Sequence, residues 1–258
     1  MKIIEALSAM DALKAKLHFN RDAVDKIMRH HERNCWPDCV EAIRQMREDT
    51  GCHGEPLPYE LHRLFDEVTD AVNRLDILIE SFPARHRDNL ALAISGNHPA
   101  WTATLQGIIS QLGTGSIFVL LGDRGRGKTQ LATATARYVA EVKNLKSSYV
   151  VLGDLFTQIK GTFKSGSVES EDSIVDLYSR TPLLVLDEVH EISGTEWQGQ
   201  IFTRLIDSRY REKRSTILIT NDTEQAFIAM VGASIADRLA ECGYFIECDW
   251  PSFRRART

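Results

Sequence analysis

A glycine-rich octet has the residue types and the spacing that hold a phosphate group. It reads Gly122-Asp123-Arg124-Gly125-Arg126-Gly127-Lys128-Thr129 and directly follows the apolar run 117–121. A turn of this kind between a strand and a helix aims backbone N–H groups at one point, where the helix dipole adds positive potential. The pattern assigns the Lys128 ammonium to the β- and γ-phosphates of a nucleotide and the Thr129 hydroxyl to Mg²⁺. Together with Gln130, the octet is the predicted ATP site.

Two acidic residues supply the second nucleotide signal. The run Leu183-Leu184-Val185-Leu186 is followed by Asp187 and Glu188, so a buried strand would deliver both carboxylates to its C-terminal end. We expect Asp187 to complete the Mg²⁺ shell and Glu188 to polarise the attacking water. Asn221 follows the apolar run 216–220 and would sense the γ-phosphate through its amide, although an Asn is also an ordinary turn residue.

Arginines near the last motif offer transition-state charge stabilisation. Arg209 lies in a basic cluster just before the strand that ends at Asn221, and Arg238 lies in a later helical segment. An arginine at either position could reach the γ-phosphate of a neighbouring subunit. The alternatives are a solvated basic face for the cluster and a local salt bridge near Asp237 for Arg238.

The elements that must position these residues alternate between strand and helix after residue 113. Apolar runs predict strands at 117–121, 148–152, 183–187, 216–220 and about 244–248, with helices between them, one of them directly after Thr129. This alternation is typical of an α/β fold with a parallel sheet covered on both faces. We expect a further helix at 99–112 and a domain boundary near Pro83, which gives domains at 1–84 and 85–258.

Residues 1–84 are predicted to form a small all-helical domain. The longest apolar stripe, with spacings of three and four, runs from Leu57 to Ile79 and is either an internal core face or a groove-binding helix. Four residues between the helices could ligate zinc: Cys35, Cys39, Cys52 and His53. A single C-x-x-x-C without a matching second pair favours small buried thiols over a Zn²⁺ site.

The composition limits the function classes. The 258 residues are 43% hydrophobic and 26% charged, which is typical of a globular protein with a sizeable core. No apolar run reaches the roughly 18 residues that cross a bilayer, and Glu5 interrupts the start of the chain, so we expect a cytoplasmic protein with no membrane partner. An odd number of cysteines, five, favours reduced thiols. A net charge of −5 does not exclude nucleic acid, because a local basic groove decides that binding.

The order of these motifs resembles the DnaC-type replicative helicase loaders and the related IstB transposition ATPases of the AAA+ class. The resemblance covers about 85–258 and includes the octet, 183–188, Thr220-Asn221, 207–209, Arg238 and the tail 249–255. It implies an AAA+ P-loop ATPase with a five-stranded parallel sheet that forms an oligomer on single-stranded DNA. It also implies that Arg209 is the finger acting in trans, that Arg238 is sensor 2, and that the N-terminal domain grips a hexameric helicase. Arg124 and Arg126 depart from the family, which commonly has proline and a small residue there.

By family position, the DNA contacts would be Phe163 with Lys164 and Thr195 with Trp197. Phe163 lies in a basic segment with little core to join, where a base could stack on its ring, whereas Trp197 could equally be a core residue beside Ile192 and Ile201. Three functions stay open: ATP-dependent helicase loading, IstB-like remodelling of target DNA for a transposase, and an ATP-binding adaptor with little turnover.

Overall fold

A five-stranded parallel sheet forms the centre of the fold. The computed structural model describes residues 43–44, 59–87, 99–164, 168–192 and 195–252. The strands are β1 (Ile117–Leu121), β2 (Ser147–Val151), β3 (Leu183–Asp187), β4 (Ser215–Ile219) and β5 (Gly243–Glu247), in the spatial order β2-β3-β4-β1-β5. Every pairing is parallel. The predicted α/β class and the five predicted strands are therefore confirmed, with bounds shifted by about one residue.

Helices cover both faces of this sheet. They are α1 (Tyr59–Leu78), α2 (Ala84–Arg87), α3 (Pro99–Ser110), α4 (Lys128–Lys143), α5 (Leu152–Gly161), α6 (Glu171–Arg180), α7 (Glu196–Arg211) and α8 (Glu224–Cys242). A short 3₁₀ turn, Val189–Glu191, follows β3. None of the described helices combines the length and the apolar character that a membrane span needs.

The central strands are apolar because they are buried on both faces. Every residue of β1, β3 and β4 is buried, whereas the edge strands β2 and β5 are partly exposed. Alternate residues of the strands belong to two hydrophobic clusters, one on each side of the sheet. One cluster contains Trp101 of α3 and Leu131 of α4, and the other contains Phe202 of α7 and Phe227 of α8.

The helix that precedes the predicted boundary shares the core of the sheet. Phe65 and Leu75 of α1, and Ile79 and Phe82 after it, lie in the cluster that also contains Trp101. Leu75 and Ile79, the two members of the Leu57–Ile79 stripe whose side chains are described, therefore face the core. The 1–84 and 85–258 division stays a prediction. The four cysteine and histidine residues considered for zinc lie outside the described residues, as do the other helices expected before residue 59.

Candidate nucleotide site

The glycine-rich loop joins the buried end of β1 to the first turn of α4. Gly122, Gly125 and Gly127 have φ values of 114°, 87° and 78°, a region that only glycine adopts without strain. Gly122 also faces the chain after β5, because a Cβ there would lie 3.0 Å from the carbonyl oxygen of Cys248. The glycines thus permit both the left-handed turn and the close approach of a second backbone. The resulting loop presents the N-terminus of a helix to a ligand.

Lys128 is held over this loop by three acceptors. Its ammonium donates to the carbonyl oxygens of Gly122 and Asp123, the latter at 3.0 Å, and to Oδ1 of Asn221 at 2.9 Å. Only 6% of the residue is exposed. Burial lowers the pKa of the Lys128 ammonium, and the nearby carboxylates of Asp187 and Glu188 oppose that shift. The phosphate oxygens of a bound nucleotide would compete with these three acceptors for the N–H groups of the Lys128 ammonium.

Thr129 and Asp187 meet across the loop. The Thr129 hydroxyl donates to Oδ2 of Asp187 at 3.0 Å, and the backbone N–H of Glu188 donates to Oδ1 of the same carboxylate at 2.8 Å. A hydroxyl and a carboxylate are the oxygen ligands that Mg²⁺ prefers when nucleotide phosphates supply others. No group of three or more His, Cys, Asp or Glu residues able to hold a metal occurs in the described part of the chain. The donor set therefore fits Mg²⁺ bound together with a nucleotide, and an all-protein metal cage is not seen there.

Asn221 connects Lys128 to Glu188. Its Oδ1 accepts from Lys128, while its Nδ2 donates to Oε2 of Glu188 at 3.1 Å. Oε2 of Glu188 also lies 3.3 Å from Nδ1 of His190. Glu188 has φ 53° and ψ 47°, a left-handed conformation that costs a non-glycine residue about 1–3 kcal/mol. This Lys128–Asn221–Glu188 chain places an ammonium, an amide and a carboxylate side by side at the C-terminal edge of the sheet.

A family model for IstB-like ATP binding proteins matches residues 102–257, more than half of the chain. The chain belongs to the IstB-like ATP-binding protein family. It is 28% identical over 140 residues to the replicative helicase loader DnaC of Buchnera aphidicola subsp. Acyrthosiphon pisum, a match that covers 54% of this chain and 56% of the loader. It is 38% identical over 104 residues to an ATP-binding protein of insertion sequence IS232 from Bacillus thuringiensis subsp. berliner, covering 40% and 39% of the two chains.

The fold agrees with this family. A crystal structure of DnaI superposes with a TM-score of 0.54 at 22% identity, and the match covers 70% of this chain and all of the chain in that crystal structure. The resemblance to the DnaC-type AAA+ class and the predicted AAA+ fold with a five-stranded parallel sheet are confirmed. The chain spans about half of the length of the loader that it matches.

Arg209 does not fit the finger that the IstB-like resemblance implied. The residue is 0% exposed and lies on the inner face of α7. Its guanidinium donates to the hydroxyl of Thr216 and to four backbone carbonyl oxygens, those of Tyr178, Ser179, Thr181 and Ser215. Burial lowers its pKa to about 9, which leaves it charged at neutral pH. A side chain enclosed in this way cannot reach the nucleotide of another subunit, so the expected role of Arg209 is wrong.

Arg238 is the accessible candidate of the two. Its Nε lies 2.6 Å from Oδ1 of Asp207, and its guanidinium carbon lies 5.5 Å from the centre of the Tyr210 ring. It borders an open groove of about 750 Å³ along the outer face of α7. The groove is lined by two further arginines, Arg204 and Arg211, and by Glu196, Gly199, Gln200, Thr203 and Asp207. The salt bridge considered for Arg238 exists, but its partner is Asp207 of α7.

Of the four proposed DNA contacts, Phe163 and Lys164 are exposed, whereas Thr195 and Trp197 have structural partners within the protein. Phe163 is 63% exposed and meets Trp197 edge to face at 6.0 Å. Trp197 is half-buried against Phe156 and donates its indole N–H to Glu171, and the Lys160 ammonium lies 5.5 Å from its ring. Lys164 is exposed beside Phe163. The Thr195 hydroxyl caps α7 by accepting from the N–H of Gln198.

Two of the remaining loop residues bind other parts of the protein. The side-chain oxygen Oε1 of Gln130 accepts from Nδ1 of His86 at 2.8 Å, and Nε2 of Gln130 donates to the His86 carbonyl oxygen at 3.2 Å. Arg126 lies between Asp123, at 3.3 Å, and the carbonyl oxygens of Asp249 and Trp250. The Trp250 indole N–H donates back to the carbonyl of Arg126. The unusual Arg126 therefore joins the loop to the segment after β5, whereas Arg124 is exposed.

Sequence reasoning missed Tyr149. Tyr149 lies on the edge strand β2, and its hydroxyl donates to Oδ2 of Asp187 at 2.7 Å. Burial raises the pKa of the Tyr149 hydroxyl, and so does the Asp187 carboxylate, which keeps the group a donor. Tyr149 is paired with Val185, two residues before Asp187, but nothing in a single sequence reveals the order of β2 and β3 in the sheet.

Proposed function

We propose that this chain is a Mg²⁺-dependent ATPase that acts as an oligomer in the cytoplasm and loads a replicative hexameric helicase onto single-stranded DNA. The observation that carries the proposal is the Lys128–Asn221–Glu188 chain beside the Thr129–Asp187 pair. Phosphoryl transfer needs positioned positive charge, a metal held by hydroxyl and carboxylate, and an oriented water. These five side chains supply each of those requirements in one place.

Each side chain has a proposed task. Residues 122–130 hold the phosphates, Lys128 neutralises the β- and γ-oxygens, and Thr129 with Asp187 would hold Mg²⁺, which draws charge from the same oxygens. Glu188 accepts a proton from the attacking water. Asn221, which touches both Lys128 and Glu188, detects whether the γ-phosphate is present.

The transition state would be completed by a neighbouring subunit. We assign this role to Arg238 in place of Arg209, because Arg238 borders the open groove on α7. An arginine acting in trans is worth about 10³–10⁵ in turnover, so hydrolysis would depend on assembly. Assembly with a second subunit would have to break the ion pair between Arg238 and Asp207, or bring the intact ion pair against the nucleotide of that subunit.

The partners are proposed from the resemblance and from the relative that is named a replicative helicase loader. Residues 1–84 would contact the helicase. Single-stranded DNA would follow Phe163, Lys164, Thr195 and Trp197, where the exposed Phe163 ring offers a stacking face. The second candidate function, target-DNA remodelling for a transposase, is favoured by the family match and by the insertion-sequence relative.

The experiment compares the full chain with Glu188→Gln and with a matched control, Glu191→Gln, which changes an exposed acid three residues away. We measure phosphate release with single-stranded DNA, and helicase-driven strand separation with the replicative helicase of the source organism. Glu188→Gln should keep ATP binding and lose about 10²-fold or more of turnover, and Glu191→Gln should match the wild type. Equal phosphate release from all three proteins would contradict the assignment of Glu188. ATP-dependent binding of duplex DNA without any effect on the helicase would favour the transposition function.

Arg238 has its own comparison. Arg238→Ala should leave ATP affinity unchanged and lower turnover of the assembled protein to the level of a dilute monomer, while Arg211→Ala in the same groove retains most of the activity. Restoration of turnover by mixing Arg238→Ala with Lys128→Ala subunits would identify action in trans. Failure of any mixture to recover activity would count against it.

A further inference from the structure

Among the described residues, three groups donate hydrogen bonds to the Asp187 carboxylate, and two of them belong to the expected nucleotide machinery. Thr129 donates at 3.0 Å and the Glu188 N–H at 2.8 Å, and the third and shortest contact is the Tyr149 hydroxyl at 2.7 Å. Thr129 and Tyr149 share Oδ2, while Glu188 takes Oδ1. Both oxygens of the carboxylate are therefore fixed.

Tyr149 is itself held from the side of the N-terminal segment. Its backbone N–H, on the open edge of β2, donates to the Ser81 hydroxyl at 2.9 Å. Its ring packs against the buried Phe82 ring with centres 5.5 Å apart. The turn that follows α1 thus covers the free edge of the sheet and orients the phenol toward Asp187.

The arrangement matters because a terminal carboxylate rotates easily. The last side-chain torsion of Asp has a broad, roughly twofold preference, so packing alone does not fix where its oxygens point. Thr129 cannot fix Asp187 alone, since the same hydroxyl oxygen is a predicted metal ligand. A donor outside the metal site keeps the carboxylate oriented regardless of how Thr129 is engaged.

We propose that Tyr149 is a positioning residue whose hydroxyl holds Asp187 in the orientation that binds a Mg²⁺-nucleotide. This inference rests on the proposed function, because it gives Asp187 the metal-holding role. Groups that orient metal ligands typically contribute 10- to 100-fold to metal affinity or activity. The turn at Ser81 and Phe82 contributes to the orientation of Asp187, because both residues contact Tyr149.

The test uses Tyr149→Phe in the full chain, which keeps the ring against Phe82 and removes only the hydroxyl. Binding of a fluorescent ATP analogue is titrated with saturating Mg²⁺ and with EDTA. We expect about a tenfold loss of affinity with Mg²⁺ and an unchanged affinity in EDTA. The Mg²⁺ concentration that gives half of the binding enhancement should rise by a similar factor. Tyr178→Phe is the matched control, because it removes a tyrosine hydroxyl that contacts only the Gln158 amide at 3.3 Å among the contacts described.

The outcomes separate this inference from the proposed function. Unchanged Mg²⁺-dependent binding in Tyr149→Phe would overturn the positioning role while leaving the ATP site intact. An equal loss with and without Mg²⁺ would also overturn it, since that pattern reports general damage to the fold. A wild-type chain that binds no nucleotide under either condition would overturn the proposed function and this inference together.

Discussion

Replacement of Arg209 should destabilise the fold far more than it affects chemistry. The guanidinium joins the C-terminal end of α6 to the start of β4 through Tyr178 at 2.7 Å, Thr181 at 2.8 Å and Thr216 at 2.9 Å. The last carbonyls of a helix have no partner within the helix, and Arg209 supplies one for several of them. The side chain therefore acts as a buried C-terminal cap for α6.

The magnitude follows from the orphaned acceptors. Arg209→Ala leaves four carbonyl oxygens without the donor that they now share, and each buried unsatisfied group costs about 1–3 kcal/mol. Relaxation and water entry reduce the sum, so we expect a loss of about 4 kcal/mol or more, a large share of the 5–15 kcal/mol that holds a typical domain. Arg209→Lys keeps the charge but replaces the planar fork by three donors at one atom, and should lose roughly half as much.

Urea unfolding followed by circular dichroism measures the effect. A loss of about 4 kcal/mol at a slope of about 3 kcal/mol per M moves the midpoint down by about 1.3 M. Arg211→Ala, an exposed arginine on the same helix, should shift the free energy of unfolding by less than about 0.5 kcal/mol. If Arg209→Ala unfolds at the wild-type midpoint yet abolishes turnover only in the assembled protein, the structural role is refuted and the finger role returns.

Three further predictions concern the tail, the DNA face and a thiol. Trp250→Phe keeps an aromatic side chain, though a smaller one, and loses the indole N–H that donates to the Arg126 carbonyl, a bond worth about 1 kcal/mol. ATP-analogue titration should therefore show about fivefold weaker binding, and unchanged affinity would contradict a supporting role for the tail. Phe163→Ala should weaken binding to oligo-dT by about 1–3 kcal/mol in fluorescence anisotropy with no change in thermal midpoint, whereas wild-type affinity would exclude stacking there. Burial raises the pKa of the Cys248 thiol to about 12, so below pH 9 it should resist iodoacetamide in the native protein and react once unfolded, as peptide mass spectrometry would show; rapid native labelling would contradict that burial.

The centre of the nucleotide site was predictable because its signals are local. An octet after an apolar strand needs only its own glycines to form, and Asp187 needs only to follow a buried strand. The carboxyl ends of parallel strands meet at one edge, so Asn221 could be expected near both. The structure adds the direct contacts, at 2.9 Å to Lys128 and 3.1 Å to Glu188.

The finger role expected for Arg209 was wrong because it was inferred from the position of Arg209 in the family, while the helical periodicity of α7 indicated a buried residue. The buried residues of α7 are Ile201, Phe202, Leu205, Ile206 and Arg209, which follow one another at spacings of one and three. This is the inner stripe of a helix, and Arg209 completes it. Asp207 and Arg211 lie on the opposite face and line the groove. The periodicity of the sequence therefore contained the correction, since it placed this arginine on the core side.

Contacts from outside the strand-and-helix core could not be predicted, because they join residues far apart in the chain. Tyr149 brings the turn at Ser81 and Phe82 to Asp187, and Trp250 brings the segment after β5 to Arg126, 124 residues away. Segments before and after the strand-and-helix core thus both reach residues of the candidate nucleotide site, one through Tyr149 and the other through Arg126. Coupling between two sites is reciprocal. If these segments raise the affinity for the nucleotide, a bound nucleotide must stabilise the packing of these segments by the same free energy. Hydrogen exchange in residues 79–87 and 248–252 should therefore slow when ATP and Mg²⁺ are added, and Tyr149→Phe should remove that protection from the first segment alone.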